Sequence, residues 1–165
     1  MDPLGVLPVT GVVPLAQIVG GDNEETHLLK SMAADAEKYL SSFSWCRSIE
    51  SRYFGYGIGR ILSIFLFRIT PAMSGYDPWL WVVVGDIPSA YLVAEECLTP
   101  SEALSAYLHE MMRWVKLAEK GRESRDVIPV NVPATPKWAR ELGARLEFIR
   151  VNLLPYFKEA EIVRA

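Results

Sequence analysis

The 165-residue chain has little of what most site chemistry requires. It holds two histidines and two cysteines. Cys46 and Cys97 form no close pair and no repeating framework, which excludes a disulfide scaffold and points to a reducing, cytosolic setting. His27 and His109 stand alone, with no H-x-x-x-H or H-E-x-x-H, so no metal site is expected. No G-x-x-x-x-G-K-[ST] occurs either. The run "GYGIGR" (Gly55 to Arg60) has G-x-G-x-G spacing and leads into a β-favouring run. A dinucleotide fingerprint needs a helix there, with its N-terminus facing the pyrophosphate. These glycines therefore predict a hairpin turn or bulge. No cofactor is expected.

Long apolar runs are also missing. No uninterrupted stretch of 18 apolar residues exists, so no membrane span is expected. The opening "MDPLGVLPVTGVVPLAQIVGG" lacks a positive n-region, carries Asp2 and is broken by Pro3, Pro8 and Pro14. It is not read as a secretory leader. It is too apolar for a solvated tail, so residues 1–22 are expected to pack on the domain or on a partner, partly as extended chain. A basic surplus is lacking too. The net charge of −3 argues against a general nucleic-acid binder. The charge is uneven: residues 1–112 hold 6 Lys/Arg against 13 Asp/Glu, and residues 113–165 hold 11 against 7.

What is present is core material. Half of the residues are apolar and 11% are aromatic, enough for one ordinary domain over residues 23–165. A helix is predicted from about Glu24 to Ser42, because Leu28, Leu29, Met32, Ala33, Ala36, Tyr39, Leu40 and Phe43 recur at helical spacing. From Trp45 to Val93 the period changes. "CRSIESRYFGYGIG", "RILSIFLFRIT", "WLWVVV" and "SAYLV" read as four strands, with short connections that favour an antiparallel meander. Helical periodicity then returns. Thr99-Pro100-Ser101-Glu102 is a capping box with proline at the first helical position, and Gly121 stops that helix. Thr135-Pro136 opens a last helix, which Pro155 should end or kink. The fold expected is α+β: a two-layer sandwich in which a four-stranded antiparallel meander, about residues 46–93, is covered by one N-terminal and two C-terminal helices.

This order of elements, with Cys97 in the connection before the helices, is similar to that of the ubiquitin-conjugating enzymes. The resemblance implies a Cys97-dependent enzyme or carrier. The chain has no His-Pro-Asn before the cysteine, and its connection is shorter than in that family. On the residues themselves, Cys97 sits two positions before a helix N-cap, which lowers a thiol pKa. Glu95 and Glu96 oppose that, and no spacing ties His109 to Cys97 as a base. A small structural cysteine is the expectation.

The aromatics are the remaining signal. Trp79 and Trp81 share one strand face while Leu80 and Val82 take the other, so both faces need covering. Trp114 lies at the edge of its helix stripe. The function expected is a small, non-catalytic, cytoplasmic protein-binding domain of accessory, chaperone-like or immunity type. It would dock a protein partner or a second copy through an aromatic-rich sheet face or edge. The alternatives are the Cys97 enzyme or carrier, and a small-molecule binder with a pocket lined by Trp79, Trp81, Tyr91 and Trp114.

Overall fold

A computed structural model describes residues 7–164. The helix starts lie where the cap residues place them. Asp22 caps α1 (Asn23–Ser41) by accepting from the Glu25 N–H at 2.8 Å. Thr99 caps α2 (Pro100–Ala118), accepting from the Glu102 N–H at 3.2 Å, while the Glu102 carboxylate takes the Leu98 N–H at 2.7 Å. Thr135 caps α3 (Pro136–Phe148). Each cap satisfies donors that the first helical turn leaves unpaired.

Pro155 does not end the last helix. The chain passes through a π-helical turn at Ile149–Leu153 and continues as α4 (Leu154–Arg164). A proline has no N–H to donate back and its ring crowds the preceding turn. A widened turn absorbs both effects.

The sheet is an antiparallel meander of five strands in the order β1-β2-β3-β4-β5, one more than expected. The extra strand is β1 (Val13–Pro14), from the N-terminal arm, which pairs with Phe54 and Tyr53 of β2 (Cys46–Ile58). The two residues fall in a proline-broken segment without alternation, so no period marked them. Val9 and Ile18 of the same arm are buried, and the Thr10 N–H reaches the Leu98 carbonyl at 2.9 Å. The part of the arm before Leu7 lies outside the described residues.

β3 (Leu62–Pro71) is the central strand and is almost wholly buried. It pairs with β4 (Trp79–Gly85) in unbroken register from Leu62↔Gly85 to Arg68↔Trp79. Its pairing with β2 is shifted at three places, one between Phe54 and Tyr56. The glycines of "GYGIGR" serve this hairpin. A Cβ on Gly57 would lie 2.5 Å from the Ser63 hydroxyl and 2.6 Å from Leu29, and Gly59 turns with φ +48°. β5 (Ala90–Val93) forms the far edge.

The expected two layers are three. One face of the sheet presents Phe54, Phe65, Phe67, Leu80, Val82 and Val84 to Leu29, Met32, Ala36 and Leu40 of α1. The other presents Leu62, Ile64, Leu66, Trp81 and Val83 to α2, with α3 and α4 completing that core through Leu142, Leu146 and Phe157. The cause lies in the strands themselves. Each side of β3 and β4 is apolar, so a single helical layer would leave one side wet.

Candidate functional site

With both sheet faces clothed, a group of partly exposed rings gathers beside the β5 edge, apart from the exposed Phe148 and Tyr156 at the other end of the chain. Five aromatic side chains from distant parts of the chain meet there. Tyr39 stands on the last turn of α1. Phe43 and Trp45 follow in the loop before β2, which is pinned at both ends: the Cys46 N–H donates to the Phe43 carbonyl at 3.1 Å, and the Ala72 N–H donates to the Trp45 carbonyl at 2.8 Å. Tyr76 comes from the β3–β4 loop, and Tyr91 from β5.

The rings form a connected series. Tyr39 meets Phe43 edge-on at 5.2 Å between centroids. Phe43 stacks on Trp45 at 4.9 Å, and Trp45 lies parallel to Tyr76 at 6.3 Å. Tyr91 abuts both Phe43 at 5.3 Å and Trp45 at 5.0 Å. These are favourable offset and edge geometries, which hold the side chains in fixed positions. Tyr76 is 50% exposed and Tyr91 38%.

Next to this series lies a hollow of about 560 Å³, lined by Tyr39, Phe43, Tyr91, Pro88, Ser89, Ile128, Pro129 and Asn131. Its size is within the usual range for a ligand site. Pro88 is fastened from below, where the Tyr107 hydroxyl of α2 donates to its carbonyl at 2.6 Å. Burial pushes the Tyr39 phenol up to about 12, helped by the neighbouring Tyr91. Tyr39 therefore remains a neutral hydroxyl across the physiological range.

Of the aromatics singled out from the sequence, Trp79, Trp81 and Trp114 belong to one core between the sheet and α2–α4, and Tyr91 lies apart from them. Trp81 is fully buried, and its indole N–H donates to the Cys97 carbonyl at 2.8 Å. Trp114 is also buried, in the core between sheet and helices. Trp79 is partly buried on the same sheet face and packs against Tyr53 at 6.0 Å. Tyr91 alone belongs to the surface series, on the α1 side of the sheet. Tyr39, Phe43, Trp45 and Tyr76 were missed. The available signal was "SSFSW": two large rings in a loop, where no helix or strand face calls for them.

Cys97 is buried and free, as is Cys46. Burial pushes the Cys97 thiol up, and the carboxylates of Glu102 and Glu96 push it further. His27 and His109 are both exposed, whereas the thiol is buried. The helix N-terminus after Cys97 already holds an anion of the chain's own. Glu161 of α4 accepts from the Ser101 N–H, and from the Ser101 hydroxyl at 2.8 Å. Among the described residues no group of His, Cys, Asp or Glu is arranged to hold a metal, and no helix is long and apolar enough to cross a membrane.

A second hollow, also about 560 Å³, opens between α1 and the β4–β5 turn and is lined by Ser31, Asp35, Arg60 and Asp86 among others. Arg145 of α3 holds that turn by donating to the Asp86 carbonyl at 3.1 Å.

Fold and site together define an α+β domain that carries a fixed aromatic surface at one sheet edge. No known family model, curated protein or solved structure matches the chain.

Proposed function

We propose that this chain is a small, non-catalytic binding domain of a reducing compartment, which docks a protein partner, or a second copy of itself, through the surface formed by Phe43, Trp45, Tyr76 and Tyr91. The supporting observation is the convergence itself. Four rings from three separate loops or edges meet at the surface, with Trp45 resting on the α1-side core and Tyr76 and Tyr91 open to solvent. Rigid aromatics bring large contact area at low entropic cost, which is why they dominate binding hot spots. The raised thiol of Cys97 and the occupied helix N-terminus beside it favour this reading over a cysteine enzyme. The two free, buried cysteines favour a reducing compartment.

The test is site-specific photo-crosslinking in the native host. A crosslinking residue replaces Ser44, which is exposed between Phe43 and Trp45, and in a control it replaces Arg150 on the π-helical turn. The expected result is a discrete adduct from position 44 that is absent from position 150. An adduct of twice the chain mass identifies self-association. Equal labelling from both positions, or none from position 44, overturns the reading.

A further inference from the structure

We infer that the partner enters this surface as an extended peptide segment that adds a strand to the free edge of β5; the inference rests on the docking reading above and specifies how the partner is held. The ladder itself shows which backbone groups are free. The Ile69 N–H donates to the Pro78 carbonyl at 2.7 Å, and the Asp86 N–H donates to the Ile61 carbonyl at 3.0 Å. Both pairs continue the unbroken β3–β4 register. Opposite residues of an antiparallel pair alternate between bonded and non-bonded. Leu80, Val82 and Val84 therefore turn their N–H and C=O groups to β3, and Trp81 and Val83 turn theirs to β5. Their partners there are Leu92 and Ala90. Tyr91 and Val93 are left facing outward. Among the described residues, no backbone group bonds to the N–H or carbonyl of Tyr91 or to the N–H of Val93.

The two edges of the sheet differ. At the other edge, β1 covers Tyr53 and Phe54, and its Pro14 has no N–H to offer. The remainder of β2 carries exposed Arg47, Glu50 and Arg52, and its register shifts between Cys46 and Ser48 and between Ile49 and Ser51. Charge, proline and bulges keep a foreign strand off an edge. β5 itself holds no charge, no proline and no register shift. Its four residues set the length of the segment gripped.

The edge also lies in a hollow of suitable form. Tyr39, from the α1 layer, and Ile128, from the α2–α4 layer, line the space of about 560 Å³ together with Phe43, Ser89 and Tyr91. The two helical layers thus part around the edge and leave a slot with the strand between them. A helix conceals its own backbone groups and cannot continue a ladder. A second copy of β5 would bring its own two layers against these walls. A single extended segment fits between them, and it offers alternating donors and acceptors at the spacing of the ladder. The residue opposite Tyr91 shares its face and meets Tyr39 and Phe43, while its neighbours turn toward Ile128. The lining holds no charged side chain, so the segment is uncharged and apolar.

Val93 supplies the test. Its φ of −72° is one that proline adopts, and Leu92 before it is extended. Val93→Pro therefore removes an outward N–H without touching the β4–β5 ladder, while Val93→Ala trims the side chain and keeps the donor. The isotopically labelled full chain is titrated with an uncharged octapeptide of alternating threonine and valine, and with the same peptide methylated at every amide nitrogen. The first is expected to move the amide resonances of Tyr91 and Val93, to slow their hydrogen exchange and to leave β3 unchanged; the second should do neither. Val93→Pro should weaken binding about tenfold or more, from a lost hydrogen bond and the bulk of the ring against the added strand. Val93→Ala should weaken it about threefold at most, as modest trimming does. The melting temperature of each variant reports that the fold is retained, and the two peptides on the parent chain decide the matter without any variant. Unmoved Tyr91 and Val93 amides at millimolar peptide overturn the inference, as does an equal response to the methylated peptide or equal binding by Val93→Pro. An adduct of twice the chain mass from position 44 that is lost in Val93→Pro means that two edges pair, and the free segment falls. Should the peptide fail while position 44 still crosslinks a protein, strand addition falls and the docking reading stands. Should both fail, both fall.

Discussion

The indole N–H of Trp81 points through the core to the carbonyl of Cys97, 2.8 Å away. The bond joins the second-to-last strand to the connection that launches α2, and it gives a buried carbonyl its partner. Trp81 is fully buried, so water cannot replace the donor. Trp81→Phe removes the donor and part of the ring. The expected cost is about 2–4 kcal/mol, from an unpaired buried carbonyl plus a small cavity. Urea unfolding measures it. A loss below about 1 kcal/mol would show that the Cys97 carbonyl finds another donor.

The same environment fixes the chemistry of the thiol. Cys97 and Cys46 are both buried, and both thiols are pushed up by that burial. Alkylation by iodoacetamide at neutral pH is expected to be far slower in the folded chain than in denaturant, with no reactive shoulder below the ordinary thiol range. Rapid labelling of native Cys97 at pH 6 would favour the alternative of a cysteine enzyme.

Several groups titrate late, and the direction of the effect on stability follows. Tyr39 is pushed up to about 12, and Tyr107, Cys46 and Cys97 are pushed up by burial. Each holds its proton more tightly in the folded state than in the unfolded state. Their stabilisation is complete below the unfolded values, about 8.5 for a thiol and about 10 for a phenol. It is lost as pH rises through the folded values. The melting temperature should decline steadily from about pH 8.5 upward, and Cys46→Ala/Cys97→Ala should delay the onset toward pH 10. A flat profile to pH 11 in the parent chain contradicts this account.

Much of the scaffold can be read from local rules. Thr99 and Thr135 cap the helices they were expected to cap, because a hydroxyl followed by Pro and a short helical stretch is a local instruction. The alternation Trp79-Leu80-Trp81-Val82 shows that both sides of β4 are apolar. It does not show which helix goes to which side; that depends on chain crossings between residues far apart. β1 has no signature in the sequence for a related reason, since two residues carry no period. The site was the least legible part. Phe43 and Trp45 meet Tyr91 across more than a quarter of the chain, and such convergence leaves no trace in spacing. The size that marks Trp81 and Trp114 as binding candidates is also what suits them to the core.

The C-terminal helix is tied to the rest of the fold by two charged side chains. Glu161 accepts from both the Ser101 N–H and its hydroxyl, and so caps α2 from outside. Arg164 donates to the carbonyls of Gly11, at 3.0 Å, and Gly55, and lies over the Phe54 ring. These contacts clasp the arm, β2 and α2 together. Glu161→Ala should cost about 1–2 kcal/mol, the usual worth of a cap strengthened by charge. Amide exchange should quicken at residues 9–14 and 98–102 in that variant, while β3 stays protected. Glu161→Gln should recover part of the loss. Uniform faster exchange across the sheet would mean that α4 is no separate clasp.

Tyr76 and Phe65 separate binding from folding. Phe65 is fully buried under α1, and Phe65→Ala should cost about 3–5 kcal/mol through lost burial and a cavity. Tyr76 is half exposed, and its ring contact is with Trp45 alone among the described residues. Tyr76→Ala should change stability by about 0.5–1 kcal/mol at most, as surface substitutions do. If the surface series serves a partner, the same substitution should reduce adduct formation from position 44 several-fold. Urea unfolding and crosslinking yield, measured side by side, give the answer. Were Tyr76→Ala as costly as Phe65→Ala, the rings would be a structural staple for the β3–β4 loop. Their exposure would then carry no argument for a partner.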